Sequence, residues 1–334
     1  MPKIKRVILL LTIVMFWAGS CSKDETPLII ATLEIRDITT NSARSGAKIV
    51  YGELAEIQEK GLVWGISNDP TTENSSGIIL FNKIEKEYFS EINNLKPETV
   101  YFIRAFAKNR SDTFYGDERS FKTYRGTVGD IDGNIYYTVI VAGREWMGSN
   151  LKTGSYINGD TIPHLSDDQE WFYARKGGWS FYNNDPEINN IYGKLYNWYA
   201  ISDDRGLCPA GWDVPSDDEW KELEHHLGMR PSSVERTGLR DRYAGGKLKE
   251  KGTDNWSAPN ILATDELGFK GLPGGYRQSN GQFHNLTENL NMWTSSDHLT
   301  YNAFYRNIYH NNAGIYRNIY SKNGGFSVRC IKER

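Results

Sequence analysis

The hydrophobic pattern divides the chain near residue 125. From Leu28 to Thr123 apolar and polar residues alternate in short runs: Thr32 to Ile38, Ala47 to Tyr51, Gly61 to Gly65, Val100 to Lys108 and Glu118 to Thr123. Turn residues such as Asn68-Asp69-Pro70 and Leu95-Lys96-Pro97 punctuate them. A period of two buries one face of each run, and turns at this spacing predict an all-β sandwich over 28–123. Beyond Gly126 the pattern mixes α and β. Gly126 to Asn134 and Tyr136 to Ala142 predict a hairpin, and Tyr192 to Ile201 predicts a short helix. Ser216-Asp217-Asp218-Glu219 has the form of a capping box opening a helix over 217–227, with Trp220, Leu223 and Leu227 on its docking face. After about Trp256, short strands with Gly-rich turns return.

One late stretch repeats itself: Tyr305 to Tyr320 reads YRNIYHNNAGIYRNIY. A period of eleven is too short for a solenoid unit and suits a hairpin whose strands carry one pattern. Asn311-Asn312-Ala313-Gly314 predicts a type I turn with Gly314 at positive φ, pairing Tyr309 with Tyr316 and Tyr305 with Tyr320. Alternation then places Tyr305, Asn307, Tyr309, Tyr316, Asn318 and Tyr320 on one face and Arg306, Ile308, Arg317 and Ile319 on the other. Isoleucine gains most from burial and tyrosine suits a contact surface, so the expectation is an outward tyrosine row. Arg306 and Arg317 then point inward, where buried charge needs partners, and either reach carboxylates or emerge at the sheet edge.

The first twenty residues stand apart from both patterns. Lys3, Lys5 and Arg6 precede the apolar run Val7 to Trp17, and Ala18-Gly19-Ser20 lead into Cys21, the layout of an export signal over 1–20. Ala18-Gly19-Ser20-Cys21 resembles the lipobox of bacterial lipoproteins, which implies lipidation at Cys21. Ser22-Lys23-Asp24-Glu25 looks like the surface-export tag of Bacteroidetes lipoproteins, within a tether over 21–27. The resemblance implies an outer-membrane protein, lipid-anchored and facing the cell exterior. Removing the leader takes the net charge from −3 to −6, and without a basic surplus nucleic acid is not an expected partner. Of three cysteines, Cys208 and Cys330 remain, and two cysteines in an exported chain read as one disulfide. Closing so long a loop contributes on the order of 4 to 5 kcal/mol in the chain-entropy picture.

Two further resemblances concern the domains. Leu95 to Ala105 resembles the tyrosine-corner region of fibronectin type III-like domains, with Tyr101 as the corner residue. From 126 to 333 a series of motifs occurs in order: Asp130-Ile131-Asp132-Gly133-Asn134, Glu145-Trp146-Met147, Asn150-Leu151-Lys152-Thr153, and Tyr192-Gly193-Lys194-Leu195-Tyr196-Asn197-Trp198-Tyr199. Leu207-Cys208-Pro209-Ala210-Gly211-Trp212-Asp213-Val214-Pro215-Ser216, Leu272-Pro273-Gly274-Gly275, Trp293-Thr294-Ser295-Ser296 and Gly325-Phe326-Ser327-Val328-Arg329-Cys330 complete it. This series resembles the Fibrobacter succinogenes major paralogous (FISUMP) domain family. The resemblance implies an α+β, C-type-lectin-like fold with two helices, a small twisted sheet and long ordered loops.

Reactive chemistry is sparse. Asp130 to Asn134 has an EF-hand flavour, but Gly133 stands fourth instead of sixth and Val141 occupies position twelve, so a turn explains it better than calcium. His225-His226 reads as a solvated helix face, and Asp217-Asp218 as first-turn carboxylates matched to the helix dipole. Trp146, Trp198, Trp212 and Trp220 sit in apolar segments and are expected in the core, as are Trp171 and Trp179, the two with the best claim to a sugar-stacking surface. No catalytic residue, metal ligand or cofactor site is expected. The expected role is non-catalytic binding of a glycan or surface protein through the six-residue tyrosine and asparagine face. The alternatives are a carbohydrate-processing enzyme and a structural subunit of a surface assembly.

Overall fold

The structure, a computed structural model, describes residues 28–82 and 85–334. The leader, Cys21 and the tether lie outside the described residues. The N-terminal part contains β1 (Ile29–Thr32), β2 (Ala43–Tyr51), β3 (Glu59–Gly65), β4 (Gly77–Leu80), β5 (Glu87–Ile92), β6 (Val100–Lys108), β7 (Thr113–Tyr115) and β8 (Arg119–Lys122). One sheet has the order β1-β2-β5; the other runs β4-β3-β6-β7, with β8 also on β6. Ile49, Leu62, Ile92, Tyr101, Ile103, Ala105 and Phe121 fill the core of this sandwich. The Tyr101 hydroxyl accepts the Lys96 N–H at 2.9 Å, which closes the expected tyrosine corner. The expected first strand over 32–38 is displaced to Ile29–Thr32. Asp37 sits at φ 49°, outside the extended region, and only Arg36 bridges to Arg44 there.

The second part opens with β9 (Gly126–Gly129), β10 (Ile135–Val141) and β11 (Arg144–Met147), followed by α1 (Asp168–Tyr173), β12 (Trp179–Ser180), α2 (Asn189–Tyr192), β13 (Leu195–Tyr196) and α3 (Trp198–Ile201). The predicted single helix over 192–201 is therefore two helical turns separated by a strand. Gly193, at φ 73°, ends the first, and the Asn197 side chain caps the second by accepting the Ala200 N–H. Next come β14 (Trp212–Asp213), α4 (Asp217–His226), α5 (Pro231–Val234), β15 (Gly238–Leu239), β16 (Gly274–Arg277), β17 (Phe283–Leu286), β18 (Asn289–His298), β19 (Asn302–Tyr309), β20 (Tyr316–Ser321) and β21 (Ile331–Lys332). The capping box of Ser216 and Glu219 forms as predicted. Strands dominate, in a five-stranded sheet β14-β21-β11-β10-β9, a four-stranded sheet β15-β20-β19-β18 and two short ladders.

Both faces of the four-stranded sheet are covered. On one, Met292 and Ile308 join Trp220 and Leu223 of α4 and Leu227 at its C-cap, in one cluster with Trp146, Trp256 and Phe269. On the other, Trp293 and Ala303 meet Tyr196, Trp198, Phe326 and the disulfide Cys208–Cys330. That disulfide, with a Cα–Cα distance of 6.0 Å, ties the approach to β14 to the approach to β21 across 122 residues. Trp146, Trp171, Trp198, Trp212 and Trp220 are buried, as expected.

Candidate functional site

The doubled pentapeptide does form two antiparallel strands, in a register two residues from the expected one. Tyr305 stands opposite Asn318 and Asn307 opposite Tyr316. A shift of two preserves which side chains share a face, so the expected faces hold while the expected partners do not. Tyr309 instead ladders with Asn289 of β18, and the connection becomes a wide loop. Gly314 is not the positive-φ residue of a tight turn. A Cβ there would lie 2.0 Å from the Asp241 carbonyl oxygen, so glycine is required by close approach.

The tyrosine face is not an outward row. Asn307 is buried, and Tyr305, Tyr309, Tyr316, Asn318 and Tyr320 are half-buried. Tyr305 lies 4.7 Å from the Phe326 ring and Tyr320 lies 5.2 Å from it, while Tyr309 and Tyr316 meet edge to face at 5.1 Å. Burial pushes the Tyr305 hydroxyl up to about 12. Isoleucine gains more from burial than tyrosine, but here the sheet is sandwiched and both faces lose water, so the rings are drawn in as well. Ile308 is fully buried, whereas Ile319, on the same face beyond Arg317, is 40% exposed.

The inward arginines find their carboxylates. Arg306 donates through Nη1 to Asp217 Oδ1 at 2.7 Å and through Nε to Glu224 Oε1 at 2.6 Å. Arg317 donates through Nη2 to Asp217 Oδ2 at 2.7 Å, and Arg240 through Nη1 to Glu224 Oε2 at 2.6 Å. Burial alone would raise the Asp217 carboxyl, but the Arg317 and Arg306 guanidiniums outweigh it and hold it well below the usual carboxylate range. Asp217 is thus a buried ion-pair partner as well as a first-turn residue, a correction to its reading from the helix dipole. Asp218 beside it is 87% exposed.

Other sequence candidates resolve into structure. Asp130 accepts the backbone N–H groups of Asp132 and Asn134, the Asn134 amide and the Tyr136 hydroxyl, so its oxygens hold a turn together. Trp179, expected in the core, is half-buried, with His164 stacked at 4.3 Å and the Lys194 ammonium 4.1 Å from its ring centre. Its ring is already occupied by these two neighbours and has little surface left for a sugar. Among the described residues no three His, Cys, Asp or Glu side chains are grouped to hold a metal ion.

A cleft of about 250 Å³ opens at the end of the tyrosine face, lined by Phe172, Arg175, Tyr199, Ser279, Tyr301, Ser321 and Asn323. Phe172 is 44% and Tyr301 74% exposed. The wall carrying Phe172 is built rigidly from below. The Asn323 amide donates to the carbonyls of Trp171, Phe172 and Ala174 at the end of α1, where the last carbonyls of a helix run short of intrahelical donors. Arg277, fully buried, donates to the carbonyls of Leu165 and Ser166 and to Asp168, with its guanidinium 4.5 Å from the Trp171 ring centre. Gly325 lets Trp171 approach, since a Cβ there would meet the indole at 2.7 Å. Arg175 Nη1 donates to the Phe172 and Ala174 carbonyls at 3.2 and 2.8 Å and to Asn323 Oδ1 at 3.3 Å.

These residues come from five separate segments, which is why pattern reading missed them. Phe172 and Arg175 lie in the very stretch that drew attention to Trp171 and Trp179, and the signal was available there: a six-residue helix cannot bury every aromatic in Trp171-Phe172-Tyr173. Nothing in the linear sequence joins that stretch to Tyr301 or Asn323.

The sensor domain of the anti-sigma factor RsgI4 from Pseudobacteroides cellulosolvens is similar at 20% identity, with a TM-score of 0.24, covering 30% of this chain and 76% of that one. The third fibronectin III domain of human KIAA0343 protein is similar at 13% identity, with a TM-score of 0.24, over 34% of this chain and 97% of that one. Among curated proteins no match is found. The model of the Fibrobacter succinogenes major domain matches residues 139–332, from within β10 to the end of β21, and the chain belongs to that family.

Proposed function

We propose that this protein is a non-catalytic saccharide-binding module of the cell surface, lipid-anchored to the outer membrane through Cys21. In this reading the fibronectin-like sandwich acts as spacer and the second domain, in a C-type-lectin-like arrangement, presents the binding cleft. The observation that carries the reading is the cleft itself: exposed Phe172 and Tyr301 rings, the half-buried Tyr199, and hydrogen-bonding side chains from Arg175, Ser279 and Ser321 above the buried Asn323. Flat rings cover the C–H faces of a sugar while donors and acceptors at the rim bind its hydroxyls, the usual division of labour in a small-molecule site. The half-buried face of Tyr305, Asn307, Tyr309, Tyr316, Asn318 and Tyr320 then supports the cleft instead of forming it.

A glycan array probed with the full chain tests this. Phe172→Ala and Tyr301→Ala are expected to lower signal at least tenfold without shifting the melting temperature, because both rings are exposed. Array signal unchanged by either substitution would place binding elsewhere, and hydrolysis of a bound glycan would favour the enzyme alternative.

A further inference from the structure

We infer that the saccharide is acidic, a uronic acid whose carboxylate is bound by Arg175; this rests on the cleft being the saccharide site. Three observations converge. The cleft has no carboxylate among its lining residues, and Arg175 is its one charged side chain. No aspartate or glutamate among the described residues pairs with Arg175, so no neighbouring carboxylate competes for its guanidinium at the cleft wall. Finally, Arg175 is held in place by a single nitrogen, Nη1, through its three bonds to Phe172, Ala174 and Asn323, leaving Nε and Nη2 without protein acceptors.

A guanidinium fixed at one nitrogen with two others free offers a planar acceptor a pair of parallel N–H groups. That pairing is charge-assisted and matches a carboxylate. Preorganisation matters, because Arg175, although exposed, is tied down at Nη1 and loses less freedom on binding than an arginine without such contacts. The volume of about 250 Å³ is below the roughly 300–1,000 Å³ of drug-sized pockets, which suits one or two sugar rings at a chain end or a branch. Phe172 and Tyr301 supply the apolar faces, and the hydroxyls of Ser279 and Ser321 are the neutral partners for ring hydroxyls.

The test compares ligands that differ only in charge. Binding of the full chain to a panel of oligouronates (galacturonate, glucuronate and mannuronate) is measured by calorimetry beside their methyl esters and sulfated neutral oligosaccharides. At least one free acid should bind roughly 10- to 100-fold tighter than its ester, the range of a charged hydrogen-bonded pair. Arg175→Gln should erase that difference, and Arg175→Lys should retain only part of it, since an ammonium keeps the charge without the fork. Melting temperatures of both variants check that the end of α1 is intact, and the ester comparison on the unaltered chain does not depend on them. Equal binding of acid and ester, both weakened by Phe172→Ala, would overturn the acidic assignment and leave the saccharide cleft standing. A free-acid preference that survives Arg175→Gln would also overturn it, as would preference for the sulfated sugars or no binding of any free acid. Acid binding indifferent to Arg175, Phe172 and Tyr301 together would remove the cleft as well.

Discussion

Arg306 and Arg317 stand opposite each other on β19 and β20, and both bind the carboxylate of Asp217 at the start of α4. Like charges directly across a sheet repel, so the pairing is tolerable only because Asp217 and Glu224 reach the arginines from the helix above. The doubled pentapeptide thereby explains part of itself: its two arginines are a matched pair of clamps on one helix terminus.

Replacing Asp217 with asparagine should cost about 3–5 kcal/mol, the usual consequence of leaving buried charges uncompensated. Urea unfolding of the full chain measures it. A loss under 1 kcal/mol would mean the arginines find other partners.

The same site predicts an acid limb. Asp217 titrates lower in the folded state than its unfolded value of about 3.9. Its contribution is therefore complete above about pH 4 and lost as pH falls from there toward the folded value. The slope of unfolding free energy against pH below 4 should flatten in Asp217→Asn relative to the unaltered protein; identical slopes would contradict the depressed titration.

Cys208→Ser with Cys330→Ser should lower stability by about 2–5 kcal/mol, because the bond constrains a long segment of the unfolded chain. Mass spectrometry of unreduced protein should find no free thiol at either position, and two free thiols would remove the staple.

Tyr305 packs against Phe326, Trp293 and Tyr320, so Tyr305→Ala should destabilise by on the order of 3 kcal/mol, well beyond the effect of Tyr301→Ala. Thermal unfolding of the two variants side by side decides it, and equal melting temperatures would restore the tyrosine face as a free surface.

With Cys21 as the proposed anchor, Cys21→Ser should move the protein from the membrane to the soluble fraction without unfolding it, because position 21 precedes both cores in the sequence. Membrane retention of that variant after a salt wash would count against lipidation.

Local rules, legible in one dimension, determined much of this protein. The capping box at Ser216, the tyrosine corner at Tyr101, strand β6 and the sharing of a face by Arg306, Ile308, Arg317 and Ile319 follow from short-range geometry and side-chain alternation. The pairing of Cys208 with Cys330 matches the expectation drawn from the cysteine count. The family membership over 139–332 was carried by ordered motifs in the same way. What only the tertiary structure decided is what lies on the other side of each element. Alternation says that tyrosines and isoleucines part company, but this sheet is covered on both faces, and Phe326 packs against the Tyr305 and Tyr320 rings. The register was open to a slip of two, since such a slip leaves every face unchanged and the widened loop settles against Asp241 and Leu239 through Gly314. The cleft is the extreme case: Phe172 and Asn323 lie some 150 positions apart, and only the folded chain sets one against the other.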